Sequence, residues 1–351
     1  MKKSVANLLF SMIHDYLKIY LPKQRNLSDN TIGSYRVTLE QLVDYIQAQK
    51  KVPLHDVTFD MLTPEMITNF LDWLESDRSC SISTRNTRLA ALRAFVKFAA
   101  SRDISTVEIF AGLKKISSKK PNKSKTIEYM SMEAISAVVD VVDIEKKLGF
   151  RDKTFLILLY DTGARIQEIA DSTLCDLRFG RTPTIIIHGK GNKDRSVPLM
   201  EKTAEYLKRF LTEYHADASL MSKRPLFYSI IHGEPYALTT RRLYNILSSY
   251  GKKAREQCKL IPKKVHPHLF RHSRAMHLYQ NGMDLTLVSQ WLGHSYLETT
   301  QIYAHADTEH KRSAISAATP PESPLSSILN PNRYTITDDE TLKRLTGLSK
   351  I

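Results

Sequence analysis

Six residues of this chain have the types and the order needed to cut and rejoin a phosphodiester. Arg165 ends the run TGAR (162–165), and Lys190 lies in GKGNK (189–193). HPHLFRH (266–272) supplies His268 and Arg271, WLGH (291–294) supplies His294, and QIYAH (301–305) supplies Tyr303. A phosphodiester resists attack because its nonbridging oxygens are negative, so an enzyme working without a metal must neutralise them with fixed cations. Arginine suits the task, being permanently charged and able to form a planar bidentate fork with phosphate. Arg165 and Arg271 are the candidates. A tyrosine hydroxyl, with an ordinary pKa of about 10, can attack phosphorus if its proton leaves as the bond forms. The energy of the ester is then conserved in a phosphotyrosyl link. The departing 5′ oxygen needs a proton, which a lysine on a hairpin could deliver.

Taken singly, these residues have ordinary readings. Arg165 follows a helix end, where surface arginines are common. His268 and His272 stand at i, i+4, the spacing of a zinc pair, but no third ligand follows at a recognisable distance. GKGNK lacks the GxxxxGK[ST] pattern and opens onto a strand, so a plain hairpin turn competes with a phosphate loop. Trp291 and Leu292 read as core. Cys80, Cys175 and Cys258 are too scattered for a CxxC motif and suit a reducing cytosol. Neither a metal nor any other cofactor is called for.

Composition points to the partner. There are 51 Lys+Arg against 37 Asp+Glu, a formal charge of +14, which draws a protein towards polyanions. With 351 residues, two domains are expected. The opening MKKSVANLLFSMIHDYLKIY has two lysines before an apolar stretch, as a signal peptide does. Asn7, Ser11 and His14 interrupt it and no small-residue cleavage site follows, so an amphipathic helix is expected. No apolar run approaches the ~20 residues of a membrane span. A soluble, cytoplasmic, nucleoid-associated protein is expected.

The elements that must position the six residues follow from periodicity. Ser28-Asp29 can cap a helix in which Ile32, Tyr35, Leu39, Leu42 and Ile46 recur at helical spacing. Thr63-Pro64-Glu65 is a helix start, followed by the stripe Ile67, Phe70, Leu71 and Leu74. A third helix runs from about Ser83, its apolar face formed by Leu89, Leu92, Phe95, Val96 and Ala99. Its other face carries Arg85, Arg88, Arg93 and Lys97, either a solvated face or one that contacts phosphates. KKISSKKPNKSK (114–125) holds six lysines and no acid, and reads as an exposed basic tether in which Lys119 and Lys120 could track a nucleic-acid backbone.

Beyond it, a helix starts near Ser131, and another near Asp152 stops at Gly163. Thr184–His188 and Arg195–Leu199 flank the GKGNKD turn as a hairpin. After Tyr228 the pattern reads as helical. Pro267 starts a helix that ends before Gly282, Asp284 caps the next, and Leu292-Gly293 stops it. Ser295 and Glu298 form a capping box for the helix bearing Tyr303. PPESP (320–324) breaks the chain, and Thr337 with Glu340 marks a further short helix. TDDE there reads as a helix start, not as a metal-binding carboxylate cluster. The expected fold is mainly α with a small antiparallel sheet.

The joint order resembles the tyrosine recombinases, the phage integrase and Xer-like family. In that family an arginine follows T-G-x, a lysine sits in a β-hairpin, H-x-x-R comes later, and L-G-H precedes the nucleophilic tyrosine by nine residues. Arg165, Lys190, His268, Arg271, His294 and Tyr303 fill these positions, and Glu168 matches the usual acid three residues after the first arginine. The resemblance covers about 128–310. It implies a helical core-binding domain over 1–113, a basic linker over 114–127 and a mixed α/β catalytic domain over 128–315; the tail over 316–351 follows no family pattern and either docks on a neighbouring protomer or is a disordered end.

The resemblance also implies roles. Arg165, Arg271 and His294 would hold the nonbridging oxygens. Tyr303 would attack to give a 3′-phosphotyrosine, and Lys190 would protonate the leaving 5′ oxygen. His268 would orient the phosphate or accept the tyrosine proton. Double-stranded DNA with specific sites, a tetramer on two such sites, a Holliday junction and accessory recombination proteins are implied. With no arm-binding segment before residue 1, a simple integrase or transposon recombinase is favoured over a heterobivalent phage integrase. A type IB topoisomerase and a catalytically silent DNA-binding regulator are the rival readings.

Overall fold

Buried aromatic and aliphatic stripes at helical spacing organise the first part of the chain. The computed structural model describes residues 8–120, 128–146, 148–189, 193–293, 300, 302, 303, 312, 338, 340, 343 and 344. Within these, α1 (Leu8–Asp15) continues as a π-helical stretch to Gln24, followed by α2 (Asp29–Lys50), α3 (Pro64–Ser76), α4 (Ile82–Ala100) and α5 (Val107–Lys115). The Thr63 hydroxyl accepts the Met66 N–H at 3.1 Å, and Ser81 caps α4 in the same way at Thr84. Tyr16, Leu42, Ile46, Phe70, Leu74, Leu92 and Phe95 close one core. Residues 1–125 make one compact unit and 126–351 a second.

The basic face expected on α4 is mostly turned to internal use. Arg85 is 3% exposed, pairs with Glu75 at 3.1 Å and donates to the Ser117 carbonyl. Arg88 donates to the Ser34 carbonyl at 3.0 Å and to the Thr38 hydroxyl at 2.8 Å. Arg93 donates to the carbonyls of Leu113 and Ile116. Those carbonyls belong to the end of α5, where a helix leaves its last acceptors unpaired and carries partial negative charge. The guanidiniums of Arg85, Arg88 and Arg93 are thus held by protein carbonyls and a carboxylate, which leaves fewer of their donors for the expected phosphate contacts. Lys97 remains exposed on α4, as does Lys120 beyond it.

The tether also starts later than composition implied. Lys114 and Lys115 end α5, and Ile116 packs on the first core. Asn86 clasps the backbone of Lys119 through two hydrogen bonds, while its ammonium pairs with Glu75 at 2.6 Å and Asp72 at 3.4 Å. Residues 114–119 therefore belong to the first unit, and Lys119 is engaged by acids. Residues 121–127 lie outside the described residues.

In the second unit α6 (Met132–Asp140) and α7 (Gly149–Thr162) lead to α8 (Ile166–Ala170) and a 3-10 turn at Leu174–Asp176. Strands β1 (Leu177–Arg178), β2 (Thr184–Gly189) and β3 (Lys193–Pro198) form an antiparallel sheet in that order. Then come α9 (Glu201–Tyr214), the hairpin β4 (Tyr228–Ile231) and β5 (Glu234–Ala237), α10 (Thr240–Gln257), α11 (Pro267–Gln280) and α12 (Leu285–Leu292). The β4–β5 hairpin replaces the helical reading after Tyr228. Its two-residue turn, His232-Gly233, has φ of 50° and 86°, the left-handed pair that a tight hairpin demands.

Helix α7 is buried on nearly every side, its Phe155, Leu158 and Leu159 sharing a core with Ile185, Ile187, Phe210, Leu247 and Phe270. Gly163 ends it at φ +57°, and Asp284 caps α12 through the Thr286 N–H at 2.7 Å. The capping box at Ser295 and Glu298 and nearly all of the tail, including Thr337, lie outside the described residues. Among the described residues no helix is long and apolar enough to cross a membrane.

Two outcomes are expected. Arg93→Ala should lower the stability of the first unit by about 1–3 kcal/mol, because buried carbonyls lose their donor, whereas Lys97→Ala should leave it within about 0.5 kcal/mol. Urea denaturation of the two variants checks this, and equal stabilities would contradict it. A Cβ on Gly149 would lie 1.8 Å from the Asp143 carbonyl oxygen. Gly149→Ala should therefore destabilise the second unit by about 1–3 kcal/mol or more, read as a lowered melting temperature.

Candidate active site

The site is built where three helices change direction. Gly163 turns the chain out of α7, and two residues later Arg165 opens α8. The Arg165 N–H donates to Glu168 Oε2 at 2.8 Å and its guanidinium to Glu168 Oε1 at 2.8 Å. The Arg165 side chain stays 40% exposed, so one end is fixed and the other faces outward. Glu168 sits on the first turn of α8 and is itself buried.

Arg271 lies on α11, where Pro267 sets the first turn and the His266 ring accepts the Leu269 N–H at 3.1 Å. Only 4% exposed, it donates to the carbonyls of Gly163 at 2.7 Å and Leu292 at 2.6 Å. These carbonyls close α7 and α12, so the cation is placed at the negative ends of two helices. Burial first and the Arg165 charge second, partly offset by Glu168, lower the guanidinium pKa to about 10. It stays protonated at neutral pH.

Tyr303 is fully buried beside Ala275, Met276, Val288 and Leu292. Its hydroxyl and His272 Nδ1 are 2.9 Å apart; with the proton of the imidazole on Nε2, the hydroxyl donates. Burial pushes the hydroxyl up to about 12, although the Arg271 charge draws it down. Burial also lowers His272 to about 4, helped by His268, Arg271 and His266. His268, one turn before Arg271, is likewise lowered, first by burial and then by Arg271, His266 and Arg165. Both rings are neutral at pH 7.

The roles of two contributors, Arg195 and His272, escaped the reading of the sequence. Arg195 on β3 donates to Glu168 at 2.7 and 3.2 Å and to the Trp291 carbonyl at 2.9 Å. It links the hairpin to α8 and to the end of α12. Burial pushes the Glu168 carboxyl up, but Arg195 and then Arg165 hold it below the ordinary range. Gly293 has φ +66°, a backbone conformation that favours glycine, and a Cβ there would lie 2.9 Å from Arg195 Nη1. His272 stood in the sequence only as a zinc-pair candidate. Its partner is Tyr303, and among the described residues no group of three His, Cys, Asp or Glu could hold a metal. A charged residue at an inward position of an alternating strand was the available signal for Arg195.

Arg271 is the centre of the arrangement, within electrostatic range of Arg165, His268 and Tyr303. Lys190 and His294 lie outside the described residues. By chain order Lys190 follows the last residue of β2 and His294 follows Gly293.

Comparison with known proteins is extensive. The phage integrase family matches residues 103–310, and the N-terminal SAM-like domain of phage integrases matches 13–103. The tyrosine recombinase XerD of Staphylococcus epidermidis is 31% identical over 306 residues, covering 86% of this chain and 96% of that protein. A putative integrase/recombinase, y4rC, of Sinorhizobium fredii is 31% identical over 315 residues, 89% of this chain and 92% of that one. Among solved structures, the post-cleavage complex of the XerH site-specific recombinase bound to palindromic difH substrate superposes with a TM-score of 0.64 at 23% identity, over 88% of each chain. The Tn1549 transposon integrase bound to circular intermediate DNA gives 0.60 at 18% identity, over 86% of this chain and 98% of that one. The chain belongs to the phage integrase family and is a tyrosine-type site-specific DNA recombinase.

Proposed function

We propose that this recombinase moves a mobile element, cutting and rejoining specific double-stranded sites through a 3′-phosphotyrosyl intermediate and a Holliday junction, as a homotetramer on two sites. The observation that carries the chemistry is the pairing of Arg165 with Arg271. Arg271 donates to the Gly163 carbonyl at 2.7 Å, two residues before Arg165, whose guanidinium stays 40% exposed; Glu168 offsets part of this charge, and a bound anion would take up the rest. A phosphodiester seated between them supplies that anion and offers two nonbridging oxygens to planar donors. His294 adds a further donor to the same oxygens.

In the cleavage step Tyr303 Oη bonds to phosphorus, the P–O5′ bond breaks, and O5′ takes a proton from the Lys190 ammonium. The phenolic proton leaves as attack proceeds. His272 accepts the hydroxyl's hydrogen bond at 2.9 Å and so holds it in place. His268, adjacent to Arg271 on α11, is left to orient the phosphate or take the proton. Rejoining to a different 5′ end reverses the steps. The reaction takes place in the cytoplasm on nucleoid DNA, with Lys97 and Lys120 meeting the backbone and accessory recombination proteins setting direction.

The test is covalent trapping. Wild-type protein and its Tyr303→Phe and Arg165→Ala variants are mixed in EDTA with nicked DNA fragments tiling the neighbourhood of the gene, then denatured. Wild type should give a protein–DNA adduct and Tyr303→Phe none. Arg165→Ala should bind DNA yet form adduct about 10²–10³-fold more slowly, the size expected for one lost transition-state contact. Near-normal cleavage by Arg165→Ala, or an adduct on Tyr303→Phe, refutes the assignment. Glu168→Gln should also destabilise the fold, by about 3 kcal/mol at neutral pH, because two guanidiniums lose a buried carboxylate. A carboxyl held below its ordinary range stabilises the fold above that range and ceases to as pH falls through its folded value. The deficit measured by urea denaturation should therefore shrink in acid; a deficit independent of pH contradicts this.

A further inference from the structure

The hairpin that carries Lys190 is braced by a side chain that no role so far includes. His188 pairs with Asp194 across β2 and β3, one ladder step before Gly189 and Lys193, the last described pair. Its Nδ1 lies 3.0 Å from Asp194 Oδ1 and its Nε2 2.9 Å from Asp176 Oδ1. A neutral imidazole has one donor and one acceptor nitrogen, and the acceptor would then face a carboxylate oxygen. Only the imidazolium can donate to both. Asp176 is a rigid anchor, buried and holding the Thr173 N–H at 2.7 Å and the Thr173 hydroxyl at 2.8 Å. The hairpin is drawn tight at the same level, where a Cβ on Gly189 would lie 2.5 Å from the Lys193 carbonyl oxygen.

We propose that the His188 imidazolium is a positioning residue for strand cleavage: clamped between Asp176 and Asp194, it holds the β2–β3 hairpin so that Lys190 can protonate the leaving 5′ oxygen. The proposal rests on the reading of Lys190 as proton donor. Alternation places His188 and Asp194 on one face of the sheet and Lys193 and Arg195 on the other. Arg195 and Glu168 pair there, and Arg178 of β1 is bonded to the carbonyls of Cys175 and Leu177. Asp176 and Asp194 are therefore the charges that govern His188. Their hydrogen bonds raise its pKa above the ordinary histidine value. The clamp is complete below that ordinary value and is released as pH rises through the elevated one.

Two measurements decide it. The first follows hydrogen exchange of the hairpin peptide from neutral to alkaline pH, corrected for intrinsic rates. Wild type should lose protection as His188 titrates, while His188→Gln and Asp194→Asn should start less protected and show no such step. Unchanged protection in both variants overturns the clamp. The second uses duplexes carrying the cleavage sequence recovered by trapping, with either an ordinary phosphate or a 5′-bridging phosphorothiolate, whose thiolate departs without a proton. On the ordinary duplex His188→Gln and Asp194→Asn should cleave about tenfold more slowly, a fraction of what a proton donor contributes. On the phosphorothiolate both should approach wild type, as should Lys190→Ala. Equal slowing on both duplexes, with Lys190→Ala rescued, overturns only the role of His188. Failure of sulfur to rescue Lys190→Ala overturns the donor assignment and the role of His188 with it.

Discussion

A guanidinium removed from water is tolerable only where fixed dipoles replace the solvent it has lost. Arg271 meets this condition with two helix ends, accepting burial in return for the carbonyls of Gly163 and Leu292. The direction of the chain at both points follows from that need. The helix before TGAR and the helix before LGH must each stop with a carbonyl aimed at the same cation, and each stops on a glycine in the left-handed region. One charge thereby sets where Arg165 begins and where His294 follows in the chain.

A complementary arrangement surrounds Glu168. It is a buried anion with two arginines on its oxygens, one from its own helix and one from β3. Because Arg195 also reaches the Trp291 carbonyl, α8, the hairpin and α12 converge on a single ion-pair network. Networks of this kind serve geometry more than stability, since a buried pair gains little over a well-packed apolar contact. Here the geometry held is that of Arg165, the one arginine of the set with a substantially exposed side chain.

Local signals in the chain were sufficient wherever one residue determines one turn. Gly163, Pro267 and Asp284 each act within their own helix, and each was read correctly from its neighbours. The hairpin strands followed from the β-branched run Thr184–His188 and the alternation over Arg195–Leu199. What sequence could not convey was partnership at a distance. Arg85, Arg88 and Arg93 show the same residue type whether they face a phosphate or their own protein, and their internal partners come from the packing of α2 and of the segment ending α5 against α4. Arg195 and His188 depend on acids brought close by the fold, Glu168 and Asp176. The short β4–β5 hairpin was missed because Ile230-Ile231 also suits a helix, and the signal lay in the turn.

The internal use of the α4 arginines bears on how a formal charge of +14 should be understood. Arg85, Arg88, Arg93 and Lys119 all count towards that total, yet each is bound to a carbonyl or carboxylate of its own domain. The dependence of DNA affinity on ionic strength measures only cations that displace ions from phosphates, with a slope close to the number of such contacts. A shallow salt slope for this protein would therefore be compatible with a highly basic sequence. Lysines and arginines that hold the protein together are invisible to the counterions around the duplex.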